Sequence, residues 1–152
     1  MKVRDYLPED FATLCEIDRR CFPPGIAYSP DDIEIVLLEP GAFVVVGEEA
    51  GQIAGFILAR RERAGRAHII TIDVLAEHRR SGLGTLLLDE AHRRLAAEGA
   101  QRVLLEVSVD NPAAIAFYQK HGYTTLRRLK KYYLDRDDAW QLQRLLSADS
   151  VD

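Results

Sequence analysis

Cysteine is scarce: the 152-residue chain has two, Cys15 and Cys21. They lie six residues apart, with no Cys or His at metal-ligand spacing beside them, so both read as reduced thiols of a core or a helix end. Nothing near Cys21 in sequence would act as its base, which weakens it as a covalent nucleophile. Long apolar runs are missing too, so no segment has the length of a bilayer span or the pattern of a secretory signal. A surplus of positive charge is missing. The formal charge is −4 and the pI near 5.6, which argues against nucleic acid or an anionic membrane as a whole-molecule partner. Glycine, proline and low-complexity sequence are not in excess, no internal repeat appears, and the length fits one domain. These absences leave an ordinary globular chain, expected in the cytoplasm as a monomer or a homodimer. One domain is expected over residues 1–146, with 147–152 as a frayed tail.

What is present alternates between strand and helix patterns. Val3 to Tyr6 reads as a strand, and Pro8-Glu9-Asp10 opens a helix to about Arg20 whose stripe is Phe11, Leu14, Cys15, Ile17 and Cys21. Ser29-Pro30-Asp31-Asp32 caps a second helix that runs to Glu39. Residues 42–47, 52–61 and 67–75 are strands, the first two joined by the hairpin turn Glu48 to Gly51. From Gly82 the period becomes helical, with Leu83, Leu86, Leu87, Ala91 and Leu95 on one face and Gly99 as C-cap. A strand over 102–107, a helix over 112–121 and a strand over 123–133 come next, the last with Thr125, Arg127 and Leu129 on one side. Residues 139–145 suit strand or helix; the alternation of Trp140 and Leu142 favours strand.

The chemistry concentrates where a strand meets Arg79-Arg80-Ser81-Gly82-Leu83-Gly84 and then a helix. Glycines there let the backbone turn tightly and present successive amides, and the helix dipole adds positive potential, which suits a diphosphate. A P-loop would need Lys-Ser or Lys-Thr after the second glycine, and a dinucleotide fingerprint would need a third glycine; neither is present. The segment matches the R/Q-x-x-G-x-G/A signature of the GNAT superfamily, and so resembles it. Ile70 to Val74 before it, Leu104-Leu105-Glu106-Val107, Asn111 to Tyr118 and His121-Gly122-Tyr123 are similar to that family's other blocks. Lys130-Lys131-Tyr132-Tyr133, Asp138-Ala139-Trp140 and Phe22-Pro23-Pro24 most resemble its RimI group, which acetylates protein N-terminal amines.

The resemblance implies an α/β (α+β) fold: a mixed, mostly antiparallel twisted sheet of about seven strands whose central strands splay apart, flanked by about four helices. It implies acetyl-CoA as acetyl donor, with no metal. Arg79, Arg80, Ser81, Gly82, Leu83, Gly84 and Thr85 would surround the diphosphate; Ile72, Asp73 and Val74 would pair with the pantetheine, and Asn111 would support that arm. Asp73 departs from the small apolar residue many relatives carry, and three roles stay open for its carboxylate: facing solvent, binding an amine or supporting the base.

Glu106 matches the general base of that group, and Tyr118 the acid that protonates the leaving thiolate and also touches the cofactor. Tyr132 and Tyr133 are the candidate substrate contacts, beside a wall of Arg127, Arg128, Lys130 and Lys131. His68, His78, His92 and His121 show no ligand pattern and are assigned no chemistry. An α-amine is roughly one-tenth neutral at pH 7 and a lysine amine less than about a thousandth, so a peptide N-terminus is the less demanding substrate. A small-molecule amine or lysine acceptor is the alternative within the same fold. A non-catalytic acyl-CoA-binding sensor, which would keep the fold and lose the chemistry, is the alternative from another class.

Overall fold

The computed structural model describes residues 1–133 and 137–146. In chain order they form strand β1 (Lys2–Asp5), helices α1 (Phe11–Cys21) and α2 (Pro30–Leu37), and strands β2 (Ala42–Glu49), β3 (Gln52–Arg61) and β4 (Arg66–Val74). Helix α3 (Leu83–Ala97), strand β5 (Arg102–Ser108), helix α4 (Pro112–Lys120) and strands β6 (Thr124–Tyr133) and β7 (Asp137–Leu145) complete them. Two short 3-10 turns, Pro8–Asp10 and Ala76–His78, precede α1 and α3. The helix starts reflect local chemistry: Ser29 accepts a bond from the Asp32 amide to cap α2, and Asn111 accepts one from Ala114 to cap α4, each with proline in the first turn. The segment over 139–145 is strand. Trp140 and Leu142 pack on the main core while Gln141 points to the other face. The tail 147–152, expected to fray, lies outside the described residues.

The seven strands form one sheet in the order β1-β2-β3-β4-β5-β7-β6. All neighbours are antiparallel except β4 and β5, which run parallel. On one face α3 lays Leu83, Leu87, Leu88, Ala91 and Leu95 against Val45, Ile57, Ile69 and Leu105. A fully buried leucine such as Leu87 contributes about 1.5–3 kcal/mol by leaving water. The stripe differs from the expected one: Leu86 is 37% exposed and Leu88 is buried. On the other face Leu14 and Ile17 of α1 pack on Val44, Val46, Phe56 and Leu58. Both cysteines are free, Cys15 buried and Cys21 at the end of α1.

Irregular pairing decides which face each side chain meets. The register between β3 and β4 shifts at Leu58/Ala59, which pair with Thr71 and Ile69 and leave Ile70 as the extra residue. Ala67 and Ile69 therefore face α3 before the bulge, and Ile72 and Val74 after it. A second shift lies between Thr125 and Arg127. It overturns the expected alternation of β6: Thr125 pairs with Leu142 and Arg127 with Gln141, so these two side chains lie on opposite faces. Arg128 likewise leaves the expected substrate wall. It pairs with Trp140, lies over its ring at 5.2 Å and bonds Asp138.

One buried polar group on the α3 face couples the core to pH. His92 makes a 2.7 Å bond with the Tyr123 hydroxyl and lies 3.0 Å from Arg144 Nη1. Burial, helped by Arg144 and His121, pushes its pKa from 6.5 down to about 3. The folded state thus holds a neutral imidazole that the unfolded chain would protonate, so the contribution is complete above pH 6.5 and is lost as pH falls toward 3. Denaturant melts should show stability falling by about 1.4 kcal/mol per pH unit over that window from this group. In His92→Phe that component disappears; an unaltered pH slope would refute it.

Candidate active site

The turn ahead of α3 is built to expose amides. Arg80 (φ 66°) and Gly82 (φ 94°) both adopt the left-handed conformation, which curls the chain between them. A Cβ on Gly82 would meet only the Met1 side chain at 3.6 Å, so the dihedral, not space, calls for glycine. The first backbone bond of the helix runs from the Leu86 amide to Gly82 oxygen at 3.1 Å. The amides of Leu83, Gly84 and Thr85 thus precede the ladder, Leu83 meeting Ser81 Oγ at 3.4 Å. A Cβ on Gly84 would lie 3.3 Å from the Phe117 ring, which sets how closely α4 approaches. Arg79, placed by sequence at the diphosphate, instead turns its Nε to the Val74 carbonyl, 3.0 Å away.

The strands beside this turn diverge. The β4–β5 ladder holds Arg66, Ala67 and His68 against Arg102, Val103 and Leu104 and then stops. Beyond it β4 continues to Val74 and β5 to Ser108 with no pairing between them, and each stays bonded to its outer neighbour, β3 or β7. A gap opens whose apex is His68/Leu104 and whose β4 side carries Ile72, Asp73 and Val74. A diphosphate on the turn would have an extended arm directed along this gap, so the residues present fit a diphosphate-bearing thioester.

Two groups approach the gap from opposite faces. Tyr118 of α4 is buried in the α3-side core, edge-on to Phe117 and Tyr123. Glu106 lies between Leu105 and Val107, which both face that core, so its carboxylate points to the α1 side. His68 lies between Ala67 and Ile69 and points the same way. Across the fork His68 Nε2 is 2.6 Å from Glu106 Oε1. Gln141 Nε2 donates to Glu106 Oε2 at 2.8 Å and the Tyr132 hydroxyl to Oε1 at 3.4 Å. Burial pushes the Glu106 carboxyl up, but bonds from His68, Gln141 and Tyr132 outweigh it and hold the group below its ordinary range. It is an ionised acceptor at neutral pH. Behind His68, Glu62 Oε2 stands 3.7 Å from Nδ1.

The predicted residues divide accordingly. Glu106 and Tyr132 meet. Asn111 spends its Oδ1 on the α4 cap. The Tyr133 side chain lies outside the described residues. Asp73 does not face solvent: it is 1% exposed and turns toward α1, accepting from Thr71 Oγ1 at 2.5 Å. The bulge at Ile70 explains this, because it resets which β4 residues face α1. His68, assigned no chemistry by sequence, is the residue that reading missed. Its only signal is the parallel register of β4 and β5, which local periodicity does not encode. Among the described residues no group of three or more His, Cys, Asp or Glu could hold a metal, and no helix is long and apolar enough to cross a membrane.

Comparison with known proteins agrees with this geometry. The model of the Acetyltransferase (GNAT) family matches residues 11–123. An N-alpha-acetyltransferase of Saccharolobus solfataricus is 38% identical over 156 aligned positions, covering 95% of this chain and 92% of that protein. The crystal structure of Ard1 from Thermoplasma volcanium superposes with a TM-score of 0.86 at 27% identity, over 96% of this chain and 97% of that one. The ribosomal-protein-S18-alanine N-acetyltransferase of Escherichia coli shares the fold, with a TM-score of 0.85 at 23% identity over 96% and 94%. With its forked sheet, its amide-lined turn and a family match spanning most of its length, the chain belongs to the GNAT acetyltransferase family.

Proposed function

We propose that this enzyme transfers the acetyl group of acetyl-CoA to the α-amine of a protein or peptide N-terminus, by direct attack. The observation that carries the reading is the His68–Glu106 pair at the fork, 2.6 Å apart, on the face opposite Tyr118. An amine arriving from the α1 side would meet the carboxylate, and a sulfur held from the α3 side would meet the phenol. The amides of the 80–85 turn would hold the diphosphate, and the β4 edge at Ile72–Val74, with Asn111, the pantetheine.

When bound, the thioester supplies an acyl carbon whose C–S bond is exchanged for a C–N bond. Glu106 accepts the proton the amine loses, directly or through a water, and the Tyr118 hydroxyl gives one to the departing sulfur. His68 holds the Glu106 carboxylate toward the gap. Because Glu106 stays ionised, the acid limb of kcat/KM belongs to the amine, whose ordinary pKa is near 8. The relatives named N-alpha-acetyltransferase support the same substrate class.

The test offers acetyl-CoA with free-N-terminus peptides, small amines and N-blocked lysine peptides. Turnover is expected on the first class. Turnover confined to the other two would overturn the N-terminal reading, and tight acyl-CoA binding with no transfer to any amine would mark a sensor.

A further inference from the structure

Beneath the β4 side of the gap lie two acids that the transfer does not use. Asp18 of α1 is 0% exposed and Asp73 of β4 is 1% exposed. Their carboxyls are within hydrogen-bond reach of each other. One oxygen of each is committed: Asp73 Oδ1 accepts from Thr71 Oγ1 at 2.5 Å, and Asp18 Oδ2 accepts from the Tyr28 amide at 2.6 Å. The other two, Asp18 Oδ1 and Asp73 Oδ2, are buried without a donor. Two ionised carboxylates in contact and out of water would repel, and one accepted bond apiece does not offset the lost hydration. One shared proton satisfies both orphaned oxygens.

That proton completes a chain of bonds from Thr71 through Asp73 and Asp18 to the Tyr28 backbone. The chain ties β4 to α1 and to the connection between α1 and α2. Tyr28 in turn reaches the gap: its hydroxyl donates to the Ile70 carbonyl at 3.4 Å, and the Glu106 charge acts on it. We propose that Asp18 and Asp73 are positioning residues which, by sharing one proton, latch Tyr28 and its loop onto the amine-entry side of the gap.

The other titratable groups around the pair are Cys15 and Cys21 of α1, Tyr28 itself and Arg79 after β4, and burial raises the Cys15 thiol above its ordinary value. Burial raises the Cys21 thiol to about 11, so it stays neutral, and Arg79 is the one nearby cation, engaged with Val74 oxygen. Burial first, then Asp18, holds the Asp73 carboxyl well above its ordinary value. The latch is therefore intact while the pair holds the shared proton, and opens as pH rises and that proton leaves.

This inference rests on the peptide-acetylation reading, so its test has arms that need no turnover. In Asp18→Asn the amide oxygen accepts from Tyr28 and the amide nitrogen donates to an ionised Asp73, which keeps the charge and every bond but leaves no proton to lose. Peptide KM is expected to rise with alkaline pH in the wild type and to stay flat in Asp18→Asn, with kcat and CoA affinity little changed. Asp18→Ala raises KM about tenfold or more at every pH, since it leaves a buried donor unmet. Infrared spectra of the wild type should carry a protonated-carboxyl band that deuteration shifts and Asp18→Asn abolishes. Hydrogen exchange across residues 22–29, corrected for intrinsic pH dependence, should loosen at alkaline pH in the wild type alone.

If Asp18→Asn fails to fold, Asp73→Asn is expected to remove the band and the alkaline loosening in its place. A missing carboxyl band, or matching pH profiles in wild type and variant, overturns the latch. No peptide turnover together with the band and the pH-linked exchange overturns the substrate instead.

Discussion

In Glu106→Gln, kcat falls by about 10²–10⁴-fold while CoA affinity by calorimetry is unchanged. The amide keeps the shape and still accepts one hydrogen bond, yet it cannot take a proton. Glu106 sits on the α1-side face, away from the turn that would hold the diphosphate, so cofactor binding has no reason to change. His68→Ala removes the 2.6 Å contact and gives a smaller loss, because Gln141 and Tyr132 still orient the carboxylate. A Glu106→Gln enzyme that keeps wild-type turnover would remove the carboxylate from the mechanism, and a loss of CoA affinity would make it a structural residue.

Tyr118→Phe should lower turnover far more than CoA affinity, by a factor of the order of 10²–10³ in kcat. The ring is buried, packed edge-on to Phe117 and Tyr123, and phenylalanine keeps those contacts while losing the hydroxyl. A phenol with an ordinary pKa near 10 is a reasonable donor to a thiolate whose conjugate acid lies near 8.5. The loss should shrink with an acetyl donor whose thiol is a better leaving group, since that sulfur needs the proton less. Equal losses with both donors, or an unchanged rate, would show that Tyr118 only packs.

These predictions concern residues whose roles the sequence suggested by resemblance, not by local pattern. The glycine turn was legible because its conformation is local: a positive φ at Gly82 and the onset of a helical period are encoded within a few residues. The strands were legible to within a residue or two from their composition and the turns that bound them, as β3 over Gln52–Arg61 illustrates. Both bulges were not. An extra residue at Ile70 or Leu126 is chosen by the partner strand, and each reverses the facing of the residues after it. That reversal moved Arg128 off the expected substrate wall and turned Asp73 into the interior.

The sequence by itself determined the elements, the caps, the amide-bearing turn and the family resemblance, because each rests on neighbours in the chain. Tertiary structure alone decided that β4 and β5 run parallel for three residue pairs and then part. Only that fork sets His68 against Glu106, 38 positions away, and opposes them to Tyr118 across the sheet. Only the packing of α1 on β4 brings Asp18 to Asp73. Contacts between distant segments depend on register and burial in three dimensions, and no window along the chain carries that information.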